Sequence, residues 1–151
     1  MIATEVLEEK RSLPFTINKQ NLYLFPAGPT SVEIVRILIS KKLGTNSHNA
    51  QLIGSELATN VIEHATPKET PPLFIAGTEQ LNEDEAALYF GDNSEKIPVL
   101  KGDLLAENGK GMLLVRALSN RWGYTTTIPT EVSDIAPAVR KIVYSITNIR
   151  T

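Results

Sequence analysis

The sequence predicts an α+β domain, a two-layer sandwich in which helices cover one face of a mixed, mostly antiparallel sheet. Helical and extended segments alternate along the chain, and two of the extended segments flank a short polar loop as in a hairpin. A length of 151 residues suits one domain with a substantial core. We assign residues 1–13 to an N-terminal arm and residues 14–151 to the domain itself.

Two helices are predicted in the first half of the chain. A capping-box pattern at residues 30–33 begins the first helix, and Gly44 ends it as a left-handed C-cap. The second helix is predicted to start near Asn46 or Ser47 and to run to about Ala65, because Pro67 stops it. Four residues of the first helix recur at helical spacing: Ile34, Ile37, Leu38 and Lys41.

Short runs rich in β-branched and aromatic residues predict the strands. They are residues 16–18 with 22–25 (two pieces, or one bulged strand), 73–76, 87–90, 124–128 and 141–146. A hairpin loop is expected at 82–85. A third helix is predicted over 112–121, with Arg121 on its apolar stripe and Gly123 as its stop. Two segments show little regular pattern, 91–110 and 129–137, and we expect the latter to be a disordered loop.

Composition narrows the class of protein. The net charge is −2 without a cluster of like charges, which argues against a surface for nucleic acid. The sequence contains no cysteine and only two histidines, so disulfides, thiolate metal sites and a histidine-rich zinc cluster are excluded. Neither a signal peptide nor an apolar run of about 20 residues is apparent, and we therefore expect a cytoplasmic protein without a membrane partner.

The second predicted helix carries Glu56, Asn60 and His64 at four-residue spacing, so these side chains lie along one face. A carboxylate and a carboxamide about 6 Å apart suit Mg²⁺ with bound phosphates, because this ion takes oxygen ligands and few protein side chains. The alternative is the ordinary polar stripe of an amphipathic helix. A different face is predicted to be buried: Ile53, Leu57, Ala58, Val61 and Ile62.

Two loops hold further candidates. Asp92 follows a predicted strand, where its carboxylate could accept a hydrogen bond from a purine amino group; the alternative is a turn stabilised by its polar neighbours. Gly109 and Gly111 flank Lys110 directly before a predicted helix, and glycines let backbone amides approach an anion there. The alternative is a flexible hinge, and the spacing matches neither a Walker loop nor a Rossmann fingerprint.

Taken together and in order, these segments resemble a known family. Residues 55–65, SELATNVIEHA, closely resemble the N box of the GHKL ATPase superfamily, above all its branch of small anti-sigma-factor serine/threonine kinases. Residues 89–94, YFGDNS, with Pro98, resemble the G1 box of that branch. Residues 109–115, GKGMLLV, followed by ALSNRWG at 117–123, resemble its G2 box. The resemblance covers about residues 24–146 and implies a Bergerat ATP-binding fold.

The resemblance implies roles for individual residues. Asn60 would ligate Mg²⁺, and Glu56 would act as the general base that accepts the proton of the attacking hydroxyl. Asp92 would bind the amino group of adenine, with Ser94 beside it in the G1 box. Ile142 stands where the family often has a threonine that supports the adenine pocket.

The remaining roles concern the phosphates. By the same resemblance, the amides around Gly109 and Gly111 would contact them, with Met112 next in the box. Lys110 could add positive charge there, although simple solvation explains it equally well. His64 matches a histidine common at the end of this helix, in a structural or phosphate-neighbouring role.

By resemblance, the chain is an ATP- and Mg²⁺-dependent serine/threonine kinase and anti-sigma factor that regulates transcription. It would hold a sigma factor inactive, release it to a STAS-type anti-anti-sigma partner, and phosphorylate that partner; it would be a homodimer without direct nucleic-acid contact. The alternative is an ATP-binding regulatory module that acts only by protein–protein binding, although Glu56 weighs against it. We expect neither a histidine kinase core, which needs a dimerising hairpin and a long lid, nor a gyrase-like ATPase, which needs a transducer domain.

Overall fold

The computed structural model describes residues 4–6, 9–64, 73–94, 99–101 and 110–150. Its strands are, in chain order, β1 (Thr4–Val6), β2 (Leu22–Pro26), β3 (Leu73–Gln80), β4 (Glu85–Asp92), β5 (Val99–Lys101), β6 (Arg121–Thr125) and β7 (Lys141–Asn148). Five of them form one sheet in the order β2-β3-β4-β7-β6, and β1 pairs with β5 separately.

All described strand pairs are antiparallel, so the expectation of a mixed sheet is wrong for the strands described. The reason lies partly in the β3–β4 hairpin, whose loop is too short for a parallel crossover. Within the described ranges, the parallel contact is one isolated bridge between Glu9 and Tyr124 at the β6 edge. The N-terminal segment therefore adds to the edge of the sheet.

The described helices are α1 (Pro29–Leu43), α2 (His48–His64), α3 (Lys110–Leu118) and α4 (Thr130–Ser133), with a short 3-10 helix at Lys19–Asn21. The three long helices contribute to one hydrophobic core with one face of the sheet. The short helix α4 instead contributes Val132 to a second cluster. The α+β class is thus confirmed, and the three long helices on one face are compatible with a two-layer sandwich. The expectation that helices lie on one face only is wrong for α4.

Alternation along the strands separates the two clusters. Leu88 and Phe90 of β4 pack with the long helices, whereas Ala87 and Tyr89 belong to the second cluster. This second cluster is closed by the N-terminal segment and the stretch around α4: Leu13, Phe15, Ile17, Ile128, Val132, Ala136 and Val139. Both faces of the sheet are therefore covered, and residue parity decides which cluster a strand side chain joins.

Helix α1 begins differently from the prediction. Its N-cap is Gly28, without a side-chain cap, and Pro29 occupies the first turn, where a fixed φ and a missing N–H are tolerated. The predicted capping box is wrong, because Thr30 already lies inside the helix. At the other end Gly44 ends α1 as predicted, with a positive φ of 100°, and its N–H donates to the Ser40 carbonyl. Its ψ of 161° is extended, so the cap is not the left-handed helical one that was expected.

Burial in α1 falls mainly on residues other than those noted for their helical spacing. Ser31, Val35 and Ile39 are the buried residues of this helix. Ile34 and Ile37 remain 41% and 49% exposed. Apolar residues occur on several sides of α1, so the spacing alone does not reveal which side meets the sheet.

Helix α3 ends earlier than predicted, at Leu118, and Arg121 and Gly123 lie in strand β6 instead. Contacts with β7 explain the early end. The backbone N–H of Asn120 donates to the Ile146 carbonyl at 2.7 Å. The Thr147 hydroxyl donates to the Leu118 carbonyl, also at 2.7 Å. The chain therefore leaves the helix to pair with the last strand.

The segment 129–137, expected to be a disordered loop, contains helix α4. Its anchor is Val132, which is fully buried against the sheet. The prediction missed this element because a single buried side chain in a polar stretch carries almost no periodicity.

The β3–β4 hairpin and helix α2 confirm their predictions. The hairpin loop is stabilised by Asn82, whose Oδ1 accepts from the backbone amides of Asp84 and Glu85, both at 2.8 Å.

In the described part of the chain, no helix combines the length and the apolar character needed to cross a bilayer.

Candidate functional site

Helix α2 separates its apolar and polar residues as predicted. Ile53, Leu57 and Val61 are buried in the core shared with the sheet. Glu56 and Asn60 are half-buried and stand one turn apart, about 6 Å along the axis. They therefore form a polar pair at the edge of the core rather than a fully solvated stripe.

His64 is the last residue of α2, and its side chain lies outside the described structure. The predicted role of His64 therefore lies outside the described residues. Within the described residues, no three His, Cys, Asp or Glu side chains converge as a metal cluster.

Helix α2, which carries the polar pair, lies next to the other candidate elements. It packs against α3 and contacts strands β4 and β7. Strand β4 ends at Asp92, and β7 begins at Lys141, directly opposite in the antiparallel register. The helix that carries Glu56 therefore contacts the strand that ends at Asp92.

The first turn of α3 contains Lys110, Gly111 and Met112. The first amides of a helix have no partner within the helix and carry the positive end of its dipole. An anion placed before Lys110 would meet these amides. Gly109 lies outside the described residues, and so do the side chains of Lys110 and Met112.

Asp92 is not an open carboxylate at the end of β4; it forms a buried ion pair. The Lys141 ammonium donates to Asp92 Oδ1 at 2.8 Å, and the two side chains are only 6% (Lys141) and 5% (Asp92) exposed. A lysine is almost never this deeply buried without a partner. The pair is therefore part of the folded core as well as of the candidate site.

Ser94 completes this cluster. Its backbone N–H donates to Asp92 Oδ1 at 3.0 Å, and its carbonyl accepts from Lys141 at 3.2 Å. The turn predicted as the alternative role of Asp92 is present, and the Asp92 carboxylate shapes it through the same oxygen that holds Lys141. Both described contacts fall on Oδ1, and neither uses Oδ2.

Ile142, which was expected to take the place of a threonine supporting the adenine pocket, does not lie beside Asp92. It is fully buried in the second cluster, with Tyr89 and Tyr144, on the opposite face of the sheet. The β7 residue that meets Asp92 is Lys141, one position earlier, because strand side chains alternate between faces. A missing threonine hydroxyl at position 142 is thus irrelevant to the Asp92 cluster.

Lys141 is the residue that sequence reasoning missed. Its only signal is a positive charge at the start of a β-branched run, which ordinarily marks a solvated strand end. The parity of β7 could have shown that it shares a face with Val143, Ser145 and Thr147. Its pairing with Asp92, however, depends on the register between β4 and β7.

A second buried polar group lies on the opposite face and is separate from this site. The Tyr89 hydroxyl donates to Glu79 Oε2 at 2.8 Å, and the Asn21 amide donates to Glu79 Oε1 at 2.9 Å. Burial, together with the Glu79 carboxylate, raises the pKa of Tyr89 well above its ordinary value. This group ties the 3-10 helix to strands β3 and β4.

No protein-family model matches this chain, and no curated protein matches it.

Proposed function

We propose that this chain binds ATP with Mg²⁺ in a Bergerat-type fold and transfers the γ-phosphate to a serine or threonine of a partner protein. The observation that carries the proposal is the half-buried Glu56–Asn60 pair on α2. This helix packs against α3, which begins at Lys110, and contacts the strand that ends in Asp92. The order of the three sequence motifs along the chain supports the same reading.

The residues present fit the chemistry of the proposed ligand. Asn60 offers an amide oxygen, a ligand type that Mg²⁺ accepts, and the ion ordinarily takes its remaining ligands from water and phosphates. The first amides of α3 suit the phosphate oxygens. When bound, Mg²⁺ would neutralise charge on the phosphates during transfer.

Glu56 is proposed as the general base. The attacking hydroxyl oxygen of the partner forms a bond to the γ-phosphorus, the bond from that phosphorus to the bridging oxygen breaks, and ADP leaves. Glu56 accepts the hydroxyl proton, which needs hydrogen-bond reach to that oxygen. A nucleotide-binding module would not need a carboxylate here, so Glu56 favours catalysis over binding alone.

We further propose the partners that the family resemblance implies. The acceptor is a STAS-type anti-anti-sigma protein, the regulated target is a sigma factor, and the working unit is a homodimer in the cytoplasm. These assignments are supported by the motifs at residues 55–65, 89–94 and 109–115.

The decisive experiment compares two glutamates of the same helix. Glu56→Gln should abolish transfer from labelled ATP to a STAS protein while leaving nucleotide affinity within a few-fold. Glu63→Gln is the matched control, because Glu63 is exposed on α2 and should transfer normally. Both affinities are measured by titration calorimetry with MgATP.

The possible outcomes distinguish a kinase from a module that acts by binding alone. Saturable MgATP binding without transfer to any STAS protein would favour the alternative, a regulatory module that acts by protein–protein binding. Full activity in Glu56→Gln would remove Glu56 from the chemistry. A wild-type protein that does not bind MgATP would refute the proposed function altogether.

A further inference from the structure

We propose that Lys141 reads the N1 edge of the adenine ring and, together with Asp92, selects adenine over other purines. The inference rests on the proposed ATP binding and adds to it a specificity-determining residue. Its starting point is the buried pair itself, in which Lys141 Nζ lies 2.8 Å from Asp92 Oδ1.

Among the described residues, one N–H of Lys141 and Oδ2 of Asp92 have no hydrogen-bond partner. A lysine ammonium has three N–H donors, and the described contacts use two of them, on Asp92 Oδ1 and on the Ser94 carbonyl. Asp92 Oδ1 takes both described contacts to the carboxylate, from Lys141 and from the Ser94 amide. A ligand would therefore meet the third N–H of Lys141 beside Asp92 Oδ2.

Adenine presents the complementary groups in adjacent positions. Its N6 amino group donates and its N1 accepts, so Asp92 Oδ2 would accept from N6 while Lys141 donates to N1. Guanine and hypoxanthine have an acceptor at position 6 and an N–H at position 1. In the same pose, their O6 would face the carboxylate and their N1–H would face the ammonium, and both contacts would be repulsive.

The charge of the pair agrees with a neutral ligand at this point. Asp92 and Lys141 compensate each other, so the cluster as a whole attracts neither an anion nor a cation strongly. A base, unlike a phosphate, can be recognised there by hydrogen-bond pattern alone. Discrimination then arises because a mismatched base leaves buried polar groups unpaired.

The test deletes one ring atom of the ligand. Wild-type protein is titrated with the Mg²⁺ complexes of ATP, 1-deaza-ATP, in which C–H replaces N1, and 7-deaza-ATP as the matched control. Loss of one hydrogen bond to a charged group predicts that 1-deaza-ATP binds about 10- to 100-fold more weakly than ATP. 7-Deaza-ATP should bind like ATP, because no contact to N7 is proposed.

The variant Lys141→Met tests whether the difference between ATP and 1-deaza-ATP depends on Lys141. In this protein, ATP and 1-deaza-ATP should bind with equal affinity, a result that a merely structural role for Lys141 would not produce. Should Lys141→Met fail to fold, the wild-type comparison still decides.

Two failures are distinguishable. If the wild type binds ATP and 1-deaza-ATP equally, the role of Lys141 is refuted while ATP binding stands. If the wild type binds neither ATP nor 1-deaza-ATP, both the proposed function and this inference are refuted.

Discussion

The buried Asp92–Lys141 pair makes Asp92→Asn a test of folding before it is a test of ligand binding. The substituted amide keeps an oxygen that can accept from the Ser94 N–H, so the change removes mainly the negative charge. Lys141, only 6% exposed, would then be a buried ammonium without its counter-charge. We expect a large loss of stability from this single substitution.

The magnitude follows from the burial of both partners. Removing one member of a buried ion pair costs about 3–5 kcal/mol, because the remaining charge stays desolvated. Since a domain of this size unfolds with about 5–15 kcal/mol, the variant would lose a large part of its stability. The melting temperature should fall by about 6–20 °C.

The assay is a double-mutant cycle by urea denaturation, with Asp92→Asn, Lys141→Met and the double variant. Each single substitution should cost about 3–5 kcal/mol. The double variant holds no unpaired charge and should lose only about 1–3 kcal/mol, because the Ser94 carbonyl loses its donor. The double loss should therefore lie well below the sum of the single losses.

An exposed ion pair in the same protein is the matched control. Lys19 and Asp134 are 3.1 Å apart, but their side chains are 53% and 60% exposed. Asp134→Asn should cost less than about 1 kcal/mol. If Asp92→Asn cost as little as the control, or if the two single losses simply added in the double variant, the coupling of the buried pair would be disproved.

Further predictions concern pH and backbone space, each measured as urea stability. Burial and the Glu79 carboxylate raise the pKa of Tyr89. The contribution of Tyr89 to folding stability is therefore fully present below about pH 10 and is lost as the pH rises toward the higher folded-state pKa. The variant Tyr89→Phe should flatten this alkaline decline in stability. Hydrogen bonds, the stronger from Asn120 and the other from Asn82, lower the pKa of Glu85 from 4.5. The contribution of Glu85 to folding stability is therefore present above pH 4.5 and is lost as the pH falls through the lower folded-state pKa. The variant Glu85→Gln should flatten this acid decline in stability. A Cβ on Gly77 would press on the Tyr89 hydroxyl and lie 2.6 Å from the Asn21 carbonyl, so Gly77→Ala should cost about 1–3 kcal/mol. By contrast, Gly28→Ser has open space at the uncapped start of α1 and should stabilise by a few tenths of a kcal/mol; a loss there would contradict the N-cap assignment.

Helix α2 and the β3–β4 hairpin were predictable because their information is local. In α2, the apolar and polar residues fall on distinct faces at a period of 3.6, and the buried face matches the prediction. In the hairpin, Asn82 forms its turn with residues two and three positions away. Neither feature depends on a distant segment to be recognised.

Helix α1 shows where such local information fails. Val35 and Ile39 face the sheet, while the equally apolar Ile34 and Ile37 face outward. The sequence is compatible with burial of either side of α1. The buried side is the one whose residues pack best against the strands. Packing against a surface built from remote residues makes this choice.

The sequence by itself predicted the three long helices and the strands of the five-stranded sheet. It also grouped Glu56, Asn60, Asp92 and the glycine segment as candidate site residues. Only the tertiary structure decided that Lys141, 49 positions after Asp92, is its partner. Strand register sets that pairing, and a shift of one residue would place Ile142 there instead. Register is fixed by the burial of two whole faces of the sheet, a property that no short stretch of sequence contains.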